Sequence, residues 1–261
     1  MLALASLSGA ADAAWARAGI PHADLAVLGG IAIDDASRSA AEGLIARGRE
    51  EFLPADPLAF VDDQLAALDD APIRAGMNVR STTLGPVRRA AQLCATHDAV
   101  LEINAHCRQD ELRAVGCGET LLRDTDRLAR YVAAASDADA TVSVKMRTEV
   151  DGVDLPALAS RLADAGADAL HVDAMDSEAV VAEIAAAAPD LFLLANNGVR
   201  DRRTAWEYLG YGADGVSVGR ASDDPAVLRR VARATADWKR RSKNSAPRSP
   251  VTPDRGPEVI R

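Results

Sequence analysis

Short apolar runs alternate with amphipathic, alanine-rich stretches along this chain, and the alternation predicts repeated strand–helix units built on a parallel sheet. Eight runs read as strands: LALASL near the start, DLAVLGGIAI at 24–33, IRAGMNV at 73–79, AVLEINA at 99–105, TVSVKMR at 141–147, ALHVDA at 169–174, LFLLANN at 191–197 and GVSVGR at 215–220. Helices are predicted after most of them, at 84–96, 119–136, 155–165, 177–188 and 202–211. Eight parallel strands favour closure into a (β/α)8 TIM barrel over an open doubly wound sheet. Gly-Ala-Asp recurs at 166–168 and 212–214 as a helix-to-strand turn, where glycine suits a helix C-terminal cap of positive φ. The stretch from Asp34 to Asp70 is longer than a connection needs, and predicts extra helix over the barrel mouth, a place for a substrate lid.

The 261 residues suit a single α/β domain of this kind. The barrel is expected over 1–240. From Arg241 onward four of the twelve prolines gather among Ser and Arg with no apolar period, so 241–261 is expected to be a disordered tail. With 48% hydrophobic but only 3% aromatic residues, the core must be built from Ala, Val, Leu and Ile. The net charge is −9, with 28 Asp against 11 Glu, and lysine occurs only at 145, 239 and 243 against 27 Arg. Such an acidic balance argues against indiscriminate affinity for phosphate backbones. A local exception is the helical stretch holding Arg229, Arg230, Arg233, Lys239, Arg240 and Arg241. The three cysteines at 94, 107 and 117 are odd in number and lack metal-type pairing with histidines, which points to a reducing interior and no metal site. No apolar run approaches the roughly 20 residues of a membrane span, and the N-terminus lacks the basic flank of a signal peptide. A cytoplasmic protein is expected.

Chemistry-bearing residues collect at strand ends, the mouth where a barrel enzyme gathers its site. The fourth strand runs into Asn104-Ala-His106-Cys107, and the fifth ends in Lys145-Met-Arg147. A lysine there is costly to bury without an anionic partner, and a cofactor meets that need. Phosphate cradles in barrels are built by the loops after strands seven and eight, with glycines admitting close backbone approach. Those loops open here with Asn197-Gly198 and Gly219-Arg220. Flavin mononucleotide (FMN) fits such a plan: a dianionic phosphate for the cradle, and a ring edge that becomes anionic on reduction for Lys145. His171, at the end of the sixth strand, is a candidate for phosphate or substrate, and Asn104 for the amide edge of a pyrimidine.

Taken in order, these motifs resemble the flavin-dependent tRNA dihydrouridine synthases and, more distantly, the dihydroorotate dehydrogenases, over roughly residues 1–225. The family's Asn-x-Gly-Cys-Pro followed by a glycine-rich segment and Leu-Leu is matched by Asn104-Ala-His-Cys107-Arg and Gly116-Cys-Gly118-Glu-Thr-Leu121-Leu122; its Lys-x-Arg by Lys145-Met-Arg147; its strand-six histidine by His171; its Asn-Gly and Gly-Arg by Asn197-Gly198 and Gly219-Arg220. The opening Ser6-Leu-Ser-Gly9 resembles the family's first strand and turn. The resemblance implies an FMN enzyme that takes electrons from NADPH or NADH and reduces the 5,6 double bond of a uridine in tRNA. It makes Cys107 and Lys145 the catalytic residues, with Cys107 donating the proton as a thiol near its ordinary pKa. It assigns Ser6, Asn78, Asn104, Lys145, His171, Asn197, Gly198, Gly219 and Arg220 to the cofactor, and Asn104, His106 and Arg147 to the substrate. The chain departs from the pattern at three places: His106 and Arg108 flank the cysteine in place of Gly and Pro, Asp173 stands where an arginine is expected, and Asn78 where a glutamine is. The resemblance also implies a C-terminal helical tRNA-gripping domain, for which the short stretch after the barrel is not expected to suffice. Alternatives are a flavoprotein acting on a free pyrimidine such as dihydroorotate and, from another class, a flavin-free phosphate-binding lyase or isomerase using Lys145 as a base or Schiff-base amine.

Overall fold

The computed structural model describes residues 1–245. Eight parallel strands close into a barrel in sequence order: β1 (Leu2–Leu4), β2 (Leu25–Ala32), β3 (Arg74–Arg80), β4 (Val100–Ala105), β5 (Thr141–Arg147), β6 (Ala169–Asp173), β7 (Phe192–Asn196) and β8 (Gly215–Val218), with β8 pairing back onto β1. The helices are α1 (Ala13–Gly19), α2 (Asp35–Ala46), α3 (Pro57–Ala66), α4 (Leu84–Thr96), α5 (Asp110–Ala114), α6 (Thr120–Arg123), α7 (Thr125–Ser136), α8 (Leu155–Asp164), α9 (Val180–Ala187), α10 (Arg202–Gly210) and α11 (Pro225–Ser245). The core is aliphatic and lies between strands and helices, with Leu4, Leu28, Met77, Ile103, Val144 and Val172 among its buried residues.

Aspartate does much of the local work. Asp12, Asp34, Asp56, Asp124, Asp154 and Asp201 each accept a backbone N–H in the first turn of a helix, satisfying donors that have no partner within the helix. Asp124 also explains why the helix expected over 119–136 is two, since the chain turns there to let its side chain cap α7. At the opposite face Asp24, Asp168 and Asp214 accept from Leu2 N, Val142 N and Leu193 N, tying each strand's first residues to the next strand's approach. That is the work of the aspartate in both Gly-Ala-Asp turns, whose Gly166 and Gly212 stand at φ +95 and +99.

The excursion after β2 holds both α2 and α3. The second takes the ordinary place in the outer ring, against α4 and β3, while α2 is the extra helix and packs on α5. Leu44 of α2 is wholly buried beside Leu112 and Cys117, and Arg47 pairs with Glu111 at 2.5 Å. This makes α2 a helix packed on α5 beside the mouth, where a lid was expected. At the other end α11 runs to Ser245, beyond the point where a tail was expected to begin; 246–261 lie outside the described residues.

Candidate active site

Side chains two apart on a strand share a face, so the interior is built in layers. Near the N-terminal end Ala3, Leu25, Val27, Val100 and Leu194 form an apolar plug. Above it lies a polar layer of Asn78, Glu102, His171 and Ser217, all at most 1% exposed. Two residues further along the same strands come Arg80, Asn104, Asp173 and Gly219, which line the cavity at the mouth. In the middle layer Glu102 accepts from Asn78 Nδ2 at 2.7 Å and contacts His171 Nδ1 at 2.6 Å, while His171 Nε2 meets Ser217 Oγ at 2.8 Å. Burial works against the Glu102 charge, yet the His171 contact, nearby Lys145 and Asn78 hold its pKa at about 2. Burial lowers the pKa of His171 against the opposing pull of Glu102, and its Nδ1–H donates to the carboxylate.

Asn104 organises the loop that carries the cysteine. Its Oδ1 accepts from the N–H groups of His106 (3.2 Å) and Cys107 (3.0 Å), and its Nδ2 donates to Asn78 Oδ1 at 2.8 Å. The amide is thus engaged in fixing a turn, and Asn78 is its anchor. The chain then folds back so that Glu119 N donates to the Cys107 carbonyl at 2.8 Å. Only glycine permits this at 118: φ is +65, and a Cβ would stand 2.1 Å from that carbonyl oxygen.

Cys107 is half-buried at the cavity wall. Burial favours its neutral thiol, but the Arg80 charge, bonds to His106 and Asn104 and the His106 charge outweigh it and bring the pKa down to about 6. The neighbours thus place the pKa of this sulfur below the ordinary thiol value expected from the sequence. Arg80 is itself 2% exposed, paired with Glu51 at 2.6 Å and bonded to Ser8.

The cavity measures about 620 Å³ and is lined by Ser6, Asn104, His106, Cys107, Lys145, Asn197, Gly198, Gly219 and Arg220 of the expected set. Lys145, 4% exposed, reaches one hydroxyl, Ser6 Oγ at 3.2 Å, and forms no ion pair among the described residues. On the far side Asn197 and Gly198 adopt φ +97 and +64, and neither Gly198 nor Gly219 has anything within 4 Å of where a Cβ would stand. Arg49, Arg80, Arg108, Arg200 and Arg220 also line the space, against a single carboxylate, Asp173. Asn78, His171 and Arg147 do not reach this wall. The first two sit in the polar layer below it, and Arg147 turns to Glu119 at 3.5 Å. Sequence reading missed Arg80, Glu51, Glu102 and Ser217. The signal for Glu102 was present as a carboxylate inside the apolar run AVLEINA.

A barrel with an acidic cysteine, a buried ammonium and a glycine-edged basic cavity at its C-terminal mouth defines an enzyme that handles an anionic cofactor or substrate. A family model described as dihydrouridine synthase (Dus) matches residues 83–252, and the chain belongs to that family of flavin-dependent oxidoreductases. An uncharacterized protein of Methanocaldococcus jannaschii is 25% identical over 248 residues, 90% of each chain. Among solved structures, DHODH from Eimeria tenella in complex with ferulenol aligns with TM-score 0.66 at 15% identity, over 93% of this chain and 82% of that one. The ligand-free DHODH of the same organism aligns with TM-score 0.56 at 15% identity, over 71% and 67%. At such identities these likenesses concern the barrel fold. The residues present fit FMN: Lys145 is a buried cation with no direct ion pair among the described residues, and the open backbone at Gly198 and Gly219 beside Arg220 leaves room for a phosphate.

Proposed function

We propose that this protein uses FMN and NADPH or NADH to reduce the 5,6 double bond of a uridine in tRNA. The observation that carries the reading is the cavity itself, where Cys107 and Lys145 share one space with five arginines on a chain of net charge −9. In it, Asn197, Gly198, Gly219 and Arg220 hold the cofactor phosphate, and Ser6 and Lys145 meet the ring edge, with Nζ offering positive charge where negative charge develops. Bound flavin supplies the hydride for one carbon of the double bond. Cys107 supplies the proton to the other carbon, and Asn104, anchored by Asn78, keeps the cysteine turn in place. His171 acts from beneath by holding Glu102, whose charge lies near Lys145 without contacting it. Arg49 and Arg108 at the rim face an incoming phosphate backbone, and His106 borders the substrate space.

The acidic exterior favours a second reading, reduction or oxidation of a free pyrimidine such as dihydroorotate. One experiment separates them. The purified protein is examined for flavin absorbance and released FMN, then incubated with NADPH and tRNA lacking dihydrouridine, and the nucleosides are resolved by mass spectrometry. Dihydrouridine in the tRNA supports the first reading. FMN with turnover only on free pyrimidines supports the second, and a protein that takes up no FMN refutes both.

A further inference from the structure

Three titratable side chains stand in a row on the cavity wall. His106 Nε2 meets Asp173 Oδ2 at 2.5 Å, and Cys107, next in the chain, lines the same wall, where the imidazole lowers its pKa. The contact joins the loop after β4 to the end of β6, and all three residues line the cavity. His106 and Asp173 are also two of the positions where this chain departs from the Gly-Cys-Pro and His-x-Arg pattern it otherwise resembles, so two separate departures meet in one bond.

We propose that Asp173, His106 and Cys107 form a proton-supply chain in which the His106 imidazolium, held by Asp173, stores the proton that Cys107 passes to the substrate carbon. The inference rests on the reading of Cys107 as proton donor. A carboxylate on Nε2 requires N–H there, which fixes the ring and favours its charged form. Burial opposes that charge, but the bonds to Asp173 and Cys107 outweigh it and raise the His106 pKa, while Asp173 is lowered by the same contact against its own burial. The two titrations belong to the pair. His106 is itself one of the groups, with Arg80, that bring the Cys107 ionisation down to about 6, so near neutral pH the proton to be delivered rests on the imidazole side of the pair and not on sulfur.

In the step, the N–H bond of the imidazolium breaks as the S–H bond forms. The S–H bond then breaks as a C–H bond forms on the uracil carbon, whose electron pair is released by hydride addition at its neighbour. Thiolate and neutral imidazole remain, and the imidazole takes its next proton from water. Other charges face the pair: Arg80 from β3 with Glu51, Lys145 from β5, Arg49 and Arg108 at the rim, and, further off, His171 and Cys117. Arg80 favours the thiolate and Lys145 opposes the imidazolium, so His106 needs Asp173 to stay charged. Asp173 is a positioning residue in this scheme.

The test is the pH dependence of Cys107 alkylation by iodoacetamide, with the modified cysteine identified by peptide mass spectrometry to separate it from buried Cys94 and Cys117. Wild-type protein is expected to show a midpoint near 6. In His106→Gln and in His106→Gly the midpoint rises, and the rate at about pH 5.5 falls about tenfold, as removal of one neighbouring cation dictates. Asp173→Asn moves it in the same direction by less, and Asp173→Glu restores it. Circular dichroism confirms folding, and the two substitutions at each position guard against one that misfolds. Unchanged alkylation profiles in His106→Gln, His106→Gly and Asp173→Asn overturn the chain. A shifted midpoint with an unaltered pH–rate profile of uridine reduction also overturns it, because coupling without proton supply is only structural. Should wild-type protein reduce no uridine at all, the functional reading falls by itself, and the alkylation profiles still decide whether the three groups are coupled.

Discussion

Glu102→Gln isolates the charge at the centre of the barrel. Glutamine keeps the volume, its Oε1 still accepts from Asn78 Nδ2, and its NH2 meets His171 Nδ1 once that ring moves its proton to Nε2 and donates to Ser217 Oγ. The hydrogen bonds survive, and what disappears is the negative charge near Lys145. The magnitude follows from the carboxyl's native pKa of about 2 against its ordinary 4.5. A folded-state pKa below the unfolded one adds stability that is fully present above the unfolded value and is lost as pH falls toward the native one. At pH 7 the difference is about 3 kcal/mol, and at pH 3.5 it has shrunk to roughly 2 kcal/mol. Glutamine stands in for the protonated acid, so the variant should lie about 3 kcal/mol below wild type at neutral pH, with the gap narrowing on acidification. Urea unfolding followed by circular dichroism at both pH values reads this directly, with the slope checked for constancy. A variant as stable as wild type at pH 7, or a gap that widens in acid, would refute the claim that Glu102 is held ionised by its neighbours.

Four further outcomes follow from the geometry. Cys107→Ala should retain FMN, read by its absorbance, while tRNA uridine reduction is abolished; persistent reduction removes Cys107 from the mechanism. Gly118→Ala places a methyl 2.1 Å from the Cys107 carbonyl at φ +65, which costs about 1–3 kcal/mol in strain, and displacement of the Cys107 turn should lower turnover more than the melting temperature suggests. Lys145→Met removes the one buried ammonium of the cavity, and FMN affinity by fluorescence titration should fall about ten- to a hundredfold, the range for a lost hydrogen bond to a charged group. Arg49→Ala or Arg108→Ala should reduce the slope of log affinity for tRNA against log salt by about one for each phosphate that the arginine no longer neutralises, with FMN retained.

The architecture was legible because β/α alternation is a long-range periodic signal, and helix α4 was predicted at its observed limits, Leu84–Thr96. Strand ends gave the mouth: Asn104, Cys107, Lys145, Gly198 and Gly219 were found by position and lie on one cavity. What escaped was the second period. Strand residues alternate, so the inward side of Asn104 also holds Glu102, that of Asn78 holds Arg80, and that of His171 holds Asp173. The expectation ended the third strand at residue 79, one short of Arg80, whose charge does most to lower the pKa of Cys107. Glu51 was beyond reach of any local pattern, since it arrives from the α2–α3 connection through tertiary folding alone. The same holds for the His106–Asp173 bond, whose partners are far apart in sequence.

Net charge was the weakest guide, and the reason lies in where the carboxylates are. Nine aspartates cap helix starts or strand starts. Their charge is matched locally to backbone donors and helix N-termini, so it answers a folding requirement and not a binding one. The cations of the mouth have no such local demand. Arg49, Arg108, Arg200 and Arg220 line the cavity and form no ion pair with a carboxylate among the described residues, and the one acid beside them, Asp173, is bonded to His106. A positive concavity set in an acidic exterior focuses the field on the cavity. For a small anionic cofactor this concentrates the ligand at the mouth. Under the proposed reading, a tRNA would gain electrostatic energy where a segment enters the mouth and along the basic stretch of α11 that holds Arg229, Arg230, Arg233, Lys239, Arg240 and Arg241, so substrate choice would depend on presenting one nucleotide to the barrel.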